Sequence, residues 1–75
     1  MKELVEYMAN SLVDDPSQVQ VREIRAAGSV VIELRVGRDD MGRVIGKSGR
    51  VANAMRTLLK VAALKKGKRA TLEIV

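Results

Sequence analysis

A chain of 75 residues carries 14 Lys and Arg against 9 Asp and Glu, a net charge of +5. It has no Cys, His, Trp or Phe, and Tyr7 is its one aromatic residue. One small domain fits this length, burying roughly 60–65% of its unfolded surface, and the missing thiol and imidazole remove disulfides, ordinary zinc sites and Ser–His or Cys–His catalysis.

All the aspartates stand as the adjacent pairs Asp14-Asp15 and Asp39-Asp40. Neighbours of that kind read as turn and cap residues and not as an acid/base couple. No enzyme, cofactor or metal is expected. Neither a basic-then-apolar leader nor a run of about 18 apolar residues is present, so a cytoplasmic protein with no membrane association is expected. Charge is uneven along the chain. Residues 1–33 hold three basic and six acidic side chains, for −3, and residues 34–75 hold eleven and three, for +8. A shift of this size points to one basic face of the kind that a phosphate backbone attracts, although a solvated surface also needs charge.

Apolar residues at Met1, Leu4, Val5, Met8 and Leu12 predict an amphipathic helix, and Asp14-Asp15-Pro16 stops it. Tyr7 is expected to be partly buried there. Val19–Ile24 then alternates as a strand whose pattern slips at Ile24, as at a sheet edge or a bulge. Ala26-Ala27-Gly28-Ser29 is a turn, with Gly28 free to take a positive φ. Val30, Ile32, Leu34 and Val36 mark one face of a stronger strand, so the two strands predict an antiparallel hairpin. Asp39-Asp40 offers an acidic N-cap for a short helix at about 41–46. A longer helix follows at about 50–64, its apolar face drawn through Val51, Ala54, Met55, Leu58, Leu59 and Ala62. Lys65-Lys66-Gly67-Lys68 ends it, with cations at the negative end of the dipole. Ala70, Leu72 and Ile74 alternate in a last strand, which returns by a right-handed crossover to lie parallel to the second. The predicted fold is α+β, in the order αββααβ. One three-stranded mixed sheet carries three helices packed on one face, within a single domain spanning residues 1–75.

The informative segment is Gly42-Arg43-Val44-Ile45-Gly46-Lys47-Ser48-Gly49-Arg50. Gly46-Lys47-Ser48 imitates the end of a G-x-x-x-x-G-K-[ST] phosphate loop, but Met41 stands where the leading glycine belongs. The segment also joins two helices and not a strand to a helix. The dinucleotide pattern G-x-G-x-x-G fails at Val44. What remains is G-x-x-G between a short helix and a long one. Paired glycines let a backbone turn tightly and let a phosphate come close, and a following helix N-terminus favours an anion. An ordinary helix–helix turn is the plainer explanation of these four residues taken alone.

Val44-Ile45-Gly46-Lys47-Ser48-Gly49 resembles the signature of the KH domain, in which G-x-x-G clamps the backbone of about four nucleotides. The αββααβ order is similar to the type II KH arrangement, and the likeness covers about residues 2–75. A chain of this size with G-K-S-G-R resembles the small bacterial KhpA family of RNA-binding proteins. Ala52 departs from the pattern, since many KH domains carry a bulky aliphatic residue there.

By this resemblance, the chain is a non-enzymatic single-stranded RNA-binding protein and RNA chaperone linked to cell shape and cell-wall growth. Its partners are single-stranded RNA and either a second copy or a KhpB (Jag-like) protein. The loop Gly46, Lys47, Ser48 and Gly49 holds phosphate, Arg43 and Arg50 flank it, and Val44 and Ile45 line the bases together with the strand near Leu34–Val36. Lys65, Lys66 and Lys68, with Arg69, occupy what resembles the variable loop. Arg56 and Lys60 are explained more simply as solubilising charge. Few aromatic residues agree with an aliphatic groove and argue against a base-stacking sheet. A KH-like association module or ribosome-assembly factor is the second reading, and a DNA binder, lacking a recognition helix or basic arm, is the third.

Overall fold

In a computed structural model that describes residues 1–75, the first apolar stripe folds as helix α1, Lys2–Leu12. Val5 and Ala9, one turn apart, are its buried positions. Val13 is extended, and Asp15 opens a single 3₁₀ turn at Pro16–Gln18, accepting the Ser17 N–H at 3.2 Å. Tyr7, expected to be partly buried, is 73% exposed instead. Its position on α1 falls outside the stripe that Val5 and Ala9 define.

Strands β1, Gln20–Ala26, and β2, Ser29–Arg35, pair antiparallel from Gln20↔Arg35 to Ala26↔Ser29. Ala27 and Gly28 alone connect them, and Gly28 takes φ 74°, the positive value that so tight a hairpin demands. The register is unbroken, so the slip at Ile24 is not a bulge. Ile24 pairs with Val31 on the face away from the helices, while Val21 and Glu23 are half-buried. β1 is an edge of the β1-β2-β3 sheet, where a looser pattern is tolerated.

β2 is the central strand, with Val30, Ile32 and Leu34 buried on one face. Strand β3, Arg69–Ile74, lies parallel to it from Ser29↔Arg69 to Leu34↔Ile74. The crossover between them contains helices α2, Met41–Ile45, and α3, Arg50–Lys65. Val5 and Ala9, Val44, and Met55 and Leu59 bring α1, α2 and α3 onto Val30, Ile32, Leu34 and Leu72 in one apolar core. Met1, Met8 and Met41 fill its margin, as flexible thioethers do. The predicted αββααβ order and the mixed three-stranded sheet are what the chain adopts.

The α3 face is rotated from the predicted one. Ala52, Met55, Leu59 and Ala63 are its buried residues, whereas Ala54 and Leu58 are exposed. The small Ala52 and Ala63 let the helix lie close to its neighbours. Leu58, Val61 and Leu64, 47–66% exposed, are left pointing outward. The acidic cap differs as well. Asp40 occupies the N-cap of α2 without a side-chain bond to it, because its carboxylate reaches back to the end of α1.

Candidate nucleic-acid interface

A helix of five residues has too few internal hydrogen bonds to hold itself, so α2 depends on tertiary ties. Val44 anchors it in the core with no exposed surface. At its start, the buried Asp40 carboxylate accepts the Asp14 N–H at 3.0 Å and the Asp15 N–H at 3.1 Å. Arg43 joins the same cluster, 3.3 Å from Asp40 Oδ1 and 2.8 Å from Asp14 Oδ2. These contacts fix the direction in which α2 delivers the chain into the glycine turn.

Gly46 closes α2, donating its N–H to the Gly42 carbonyl at 2.8 Å, and turns at φ 75°, ψ 172°. A Cβ at this position would collide with the Val51 side chain and lie 2.9 Å from the Val51 nitrogen. Both conformation and space therefore require glycine here. Lys47–Gly49 form a 3₁₀ turn, closed by the Gly49 N–H on the Gly46 carbonyl at 3.1 Å. Ser48 takes φ 57° and Gly49 takes φ 75°, so three of these four residues have positive φ. Lys47 and Ser48 are the exposed tip. Gly49 is the N-cap of α3, and no side chain caps that 16-residue helix. Its leading amides and the positive end of its dipole face the turn beside Lys47 and Arg50.

Gly46, Lys47, Ser48, Gly49 and Arg50 thus come together as a cationic turn on a helix N-terminus. Ile45, 38% exposed, stands at its edge and is available to an apolar ligand surface. Val44 is not, since it lies in the core beneath and acts by anchoring α2. Leu34 and Val36 are buried in the same way. Arg43, predicted to flank the groove, is held by the two carboxylates instead. Lys65, Lys66 and Lys68 are exposed but do not meet the turn. They sit at the other end of α3, about 24 Å away for 16 helical residues.

Arg56, expected to be solubilising charge, makes specific contacts, and Asn53 shares them. Arg56 donates from Nε to the Leu72 carbonyl at 3.3 Å and from Nη1 to Asn53 Oδ1 at 3.2 Å. Asn53 Nδ2 in turn lies 3.8 Å from where a Gly49 Cβ would stand. A polar line therefore runs from the turn along the seam between α3 and β3. Its helical half was legible in the i, i+3 spacing of Asn53 and Arg56. The carbonyl of β3 was not.

A profile of the family described as KhpA/KhpB, KH domain matches residues 2–74. An RNA-binding protein KhpA of Caldanaerobacter subterraneus is 55% identical over 75 residues, covering all of both chains. The RNA-binding protein KhpA of Clostridium acetobutylicum is 52% identical over 75 residues, again covering all of both. Two solved structures of Era share the fold. A variant of Aquifex aeolicus Era bound to GDP.AlF4- gives a TM-score of 0.65 at 21% identity. Era in complex with MgGDPNP and nucleotides 1506–1542 of 16S ribosomal RNA gives 0.58 at 23%. The comparison covers 97% of this chain and 28% of each Era chain.

Proposed function

The chain belongs to the KhpA/KhpB KH-domain family, and from that premise we propose that it is a non-enzymatic protein that binds single-stranded RNA. The observation that carries the reading is the turn itself. Lys47 and Ser48 project from a backbone bent by Gly46, Ser48 and Gly49, against the uncapped start of α3. A phosphate placed there meets a cation, a hydroxyl and helix amides together. Ile45 beside it offers an aliphatic surface to a base. One domain gripping about four nucleotides binds weakly and with little sequence selectivity, which suits a cytoplasmic RNA chaperone that works through avidity.

A partner is part of the proposal, either a second copy or a KhpB-type protein. Leu58, Val61 and Leu64 support it as an apolar patch on the outer side of α3. The same patch favours a second reading in which protein association is the main task.

The test is Lys47→Asp with Ser48→Asp, measured by anisotropy on short single-stranded RNA. Asp tolerates the left-handed conformation at position 48, so the turn persists while repulsion replaces attraction. Binding is expected to be lost with the circular dichroism spectrum unchanged. Unaltered affinity in the folded variant would rule out the turn as the phosphate grip.

A further inference from the structure

We infer that the free edge of β1 is where two copies of this chain join, antiparallel and in one register, so that their sheets continue into each other. This rests on the reading that the protein works with a partner, and it assigns the second copy to a surface other than the α3 patch.

β1 offers seven residues, Gln20–Ala26, with neither a proline nor a bulge to spoil pairing. A two-residue hairpin loop is closed by a pair that exchanges both N–H···O bonds, here Ala26 and Ser29. Alternation then aims the backbone groups of Gln20, Arg22 and Ile24 at β2, and those of Val21, Glu23 and Arg25 at the free side. No side chain or loop bonds to the β1 backbone from that side. The opposite edge of the sheet is partly closed, because the Leu72 carbonyl of β3 already accepts Arg56 Nε at 3.3 Å.

Only residues with outward backbone groups can bond across the edge, and the side chains select among the registers that this leaves. With the two-fold axis at Ile24, Glu23 faces Arg25 of the second copy and Arg25 faces its Glu23. Sliding one copy by two residues sets Glu23 against Glu23 or Arg25 against Arg25, and like charges directly opposite are destabilising. In the favoured register each charge also has its opposite beside it on its own strand, Arg25 Nε lying 2.6 Å from Glu23 Oε2. The rest of the Arg25 guanidinium, 72% exposed, remains for the second copy. Charges of alternating sign therefore ring the axis.

On the face away from the helices, Ile24 meets Ile24 of the second copy. Ile24 is 42% exposed and pairs with the half-buried Val31. The joined sheets thus carry Val31, Ile24 and their two counterparts as one apolar row. An exposed isoleucine on an open edge is a liability in a monomer, and covering the edge removes it. One sequence supplies both halves of the charge pattern, as a two-fold contact requires and an unrelated strand would not. Each copy keeps its glycine turn, so the pair holds RNA with two grips, and the α3 patch stays open to a different protein.

The experiment is sedimentation velocity across a concentration series for wild type, for Glu23→Arg, for Arg25→Glu, and for an equimolar mixture of the two variants. Wild type is expected to form dimers. Each variant alone places only like charges around the axis and is expected to weaken self-association by about tenfold or more. The mixture is expected to recover wild-type dimerisation, because the two variants complement each other, whereas a damaged fold would not be rescued in this way. Register is read separately with thiols, which this chain lacks. Ile24→Cys is expected to oxidise to a covalent dimer, since directly opposed Cα atoms lie within disulfide reach. Arg22→Cys is expected not to, as the two thiols would stand about 14 Å apart. Single variants that keep the wild-type mass overturn the β1 edge, as does equal cross-linking at the two cysteine positions. Dimers lost in Leu58→Glu with Val61→Glu but kept in both edge variants also overturn it, moving the second copy to α3 and leaving the partner reading standing. A wild type that is monomeric throughout overturns it and removes the second copy from that reading as well.

Discussion

Gly46 and Val51 meet across the glycine turn with no room for a methyl group between them: a Cβ on Gly46 would lie 2.9 Å from both the Val51 Cβ and its backbone nitrogen. The first glycine of the turn is therefore as much a packing residue as a conformational one. The second is different. At Gly49 the nearest atom to such a Cβ is Asn53 Nδ2 at 3.8 Å.

The two glycines should respond unequally to alanine. Gly49→Ala bears only the left-handed penalty, about 1–2 kcal/mol. Gly46→Ala adds overpacking against Val51 to a backbone region nearly closed to L-residues, for a total of about 3–5 kcal/mol. Urea denaturation of both variants checks the order, and equal losses would contradict the geometry.

Asp40 is expected to matter for stability and Arg43 far less. Asp40→Ala strands the Asp14 and Asp15 amides at the α1 end and should cost about 1–3 kcal/mol. Arg43 is half-exposed, so Arg43→Ala should cost no more than about 1 kcal/mol. With its guanidinium already engaged by Asp14 and Asp40, its loss should leave RNA affinity close to wild type. A drop in affinity matching that of Lys47→Ala would return Arg43 to the phosphate site.

Acid titration should find Asp15 titrating low, as Glu3 and Glu23 do. Hydrogen bonds from the Ser17 hydroxyl, then from Gln18, hold its carboxyl below the ordinary value of 3.8. A lowered folded pKa means that its contribution to stability is complete above the unfolded value and is lost as pH falls through the folded one. Ser17→Ala should move the Asp15 midpoint upward toward 3.8 in an NMR titration, with the glycine turn undisturbed. A midpoint unmoved by that change would contradict the assignment of Ser17 as the main cause.

The outer patch of α3 gives a prediction about assembly. Leu58→Glu with Val61→Glu places charge on side chains that are already solvent-exposed, so the fold should persist. If this patch joins two copies, sedimentation will show monomers in the variant and dimers in the wild type. Equal masses would remove α3 as the contact.

Much of this was legible in the residues because it depends on local spacing. Alternation through Val30, Ile32 and Leu34 marks β2, and the glycine pair marks the turn. The face of α3 was harder, for a physical reason. Between Val51 and Leu64 the apolar residues span an arc wider than the face the helix buries, opposite the polar Asn53, Arg56, Thr57 and Lys60, so more than one stripe fits. What selects Ala52 and Ala63 over Ala54 and Leu58 is how closely the helix must approach its neighbours. Arg43 illustrates the same limit, because its partner Asp14 lies 29 positions earlier in the chain. Only Asp40, three positions before it, was a partner legible from spacing. Val44 and Ile45 adjoin in the motif, yet α2 sends one into the core and leaves the other at the surface.

The pairing of β2 with β3 has a consequence for the order of assembly. Hairpin partners such as Ala26 and Ser29 are near neighbours in the chain, whereas Val30 and Ala70 must meet across the whole crossover. Contacts that close long loops form slowly, so β3 is expected to dock late, after the hairpin and much of α3. The seam beside α3 comes into being only at that step. A strand of RNA lying across it would bind the completed molecule and not its precursors, and so shift the folding equilibrium by mass action. In that sense RNA would act as a clasp on the last strand to arrive, raising the unfolding midpoint of the completed domain.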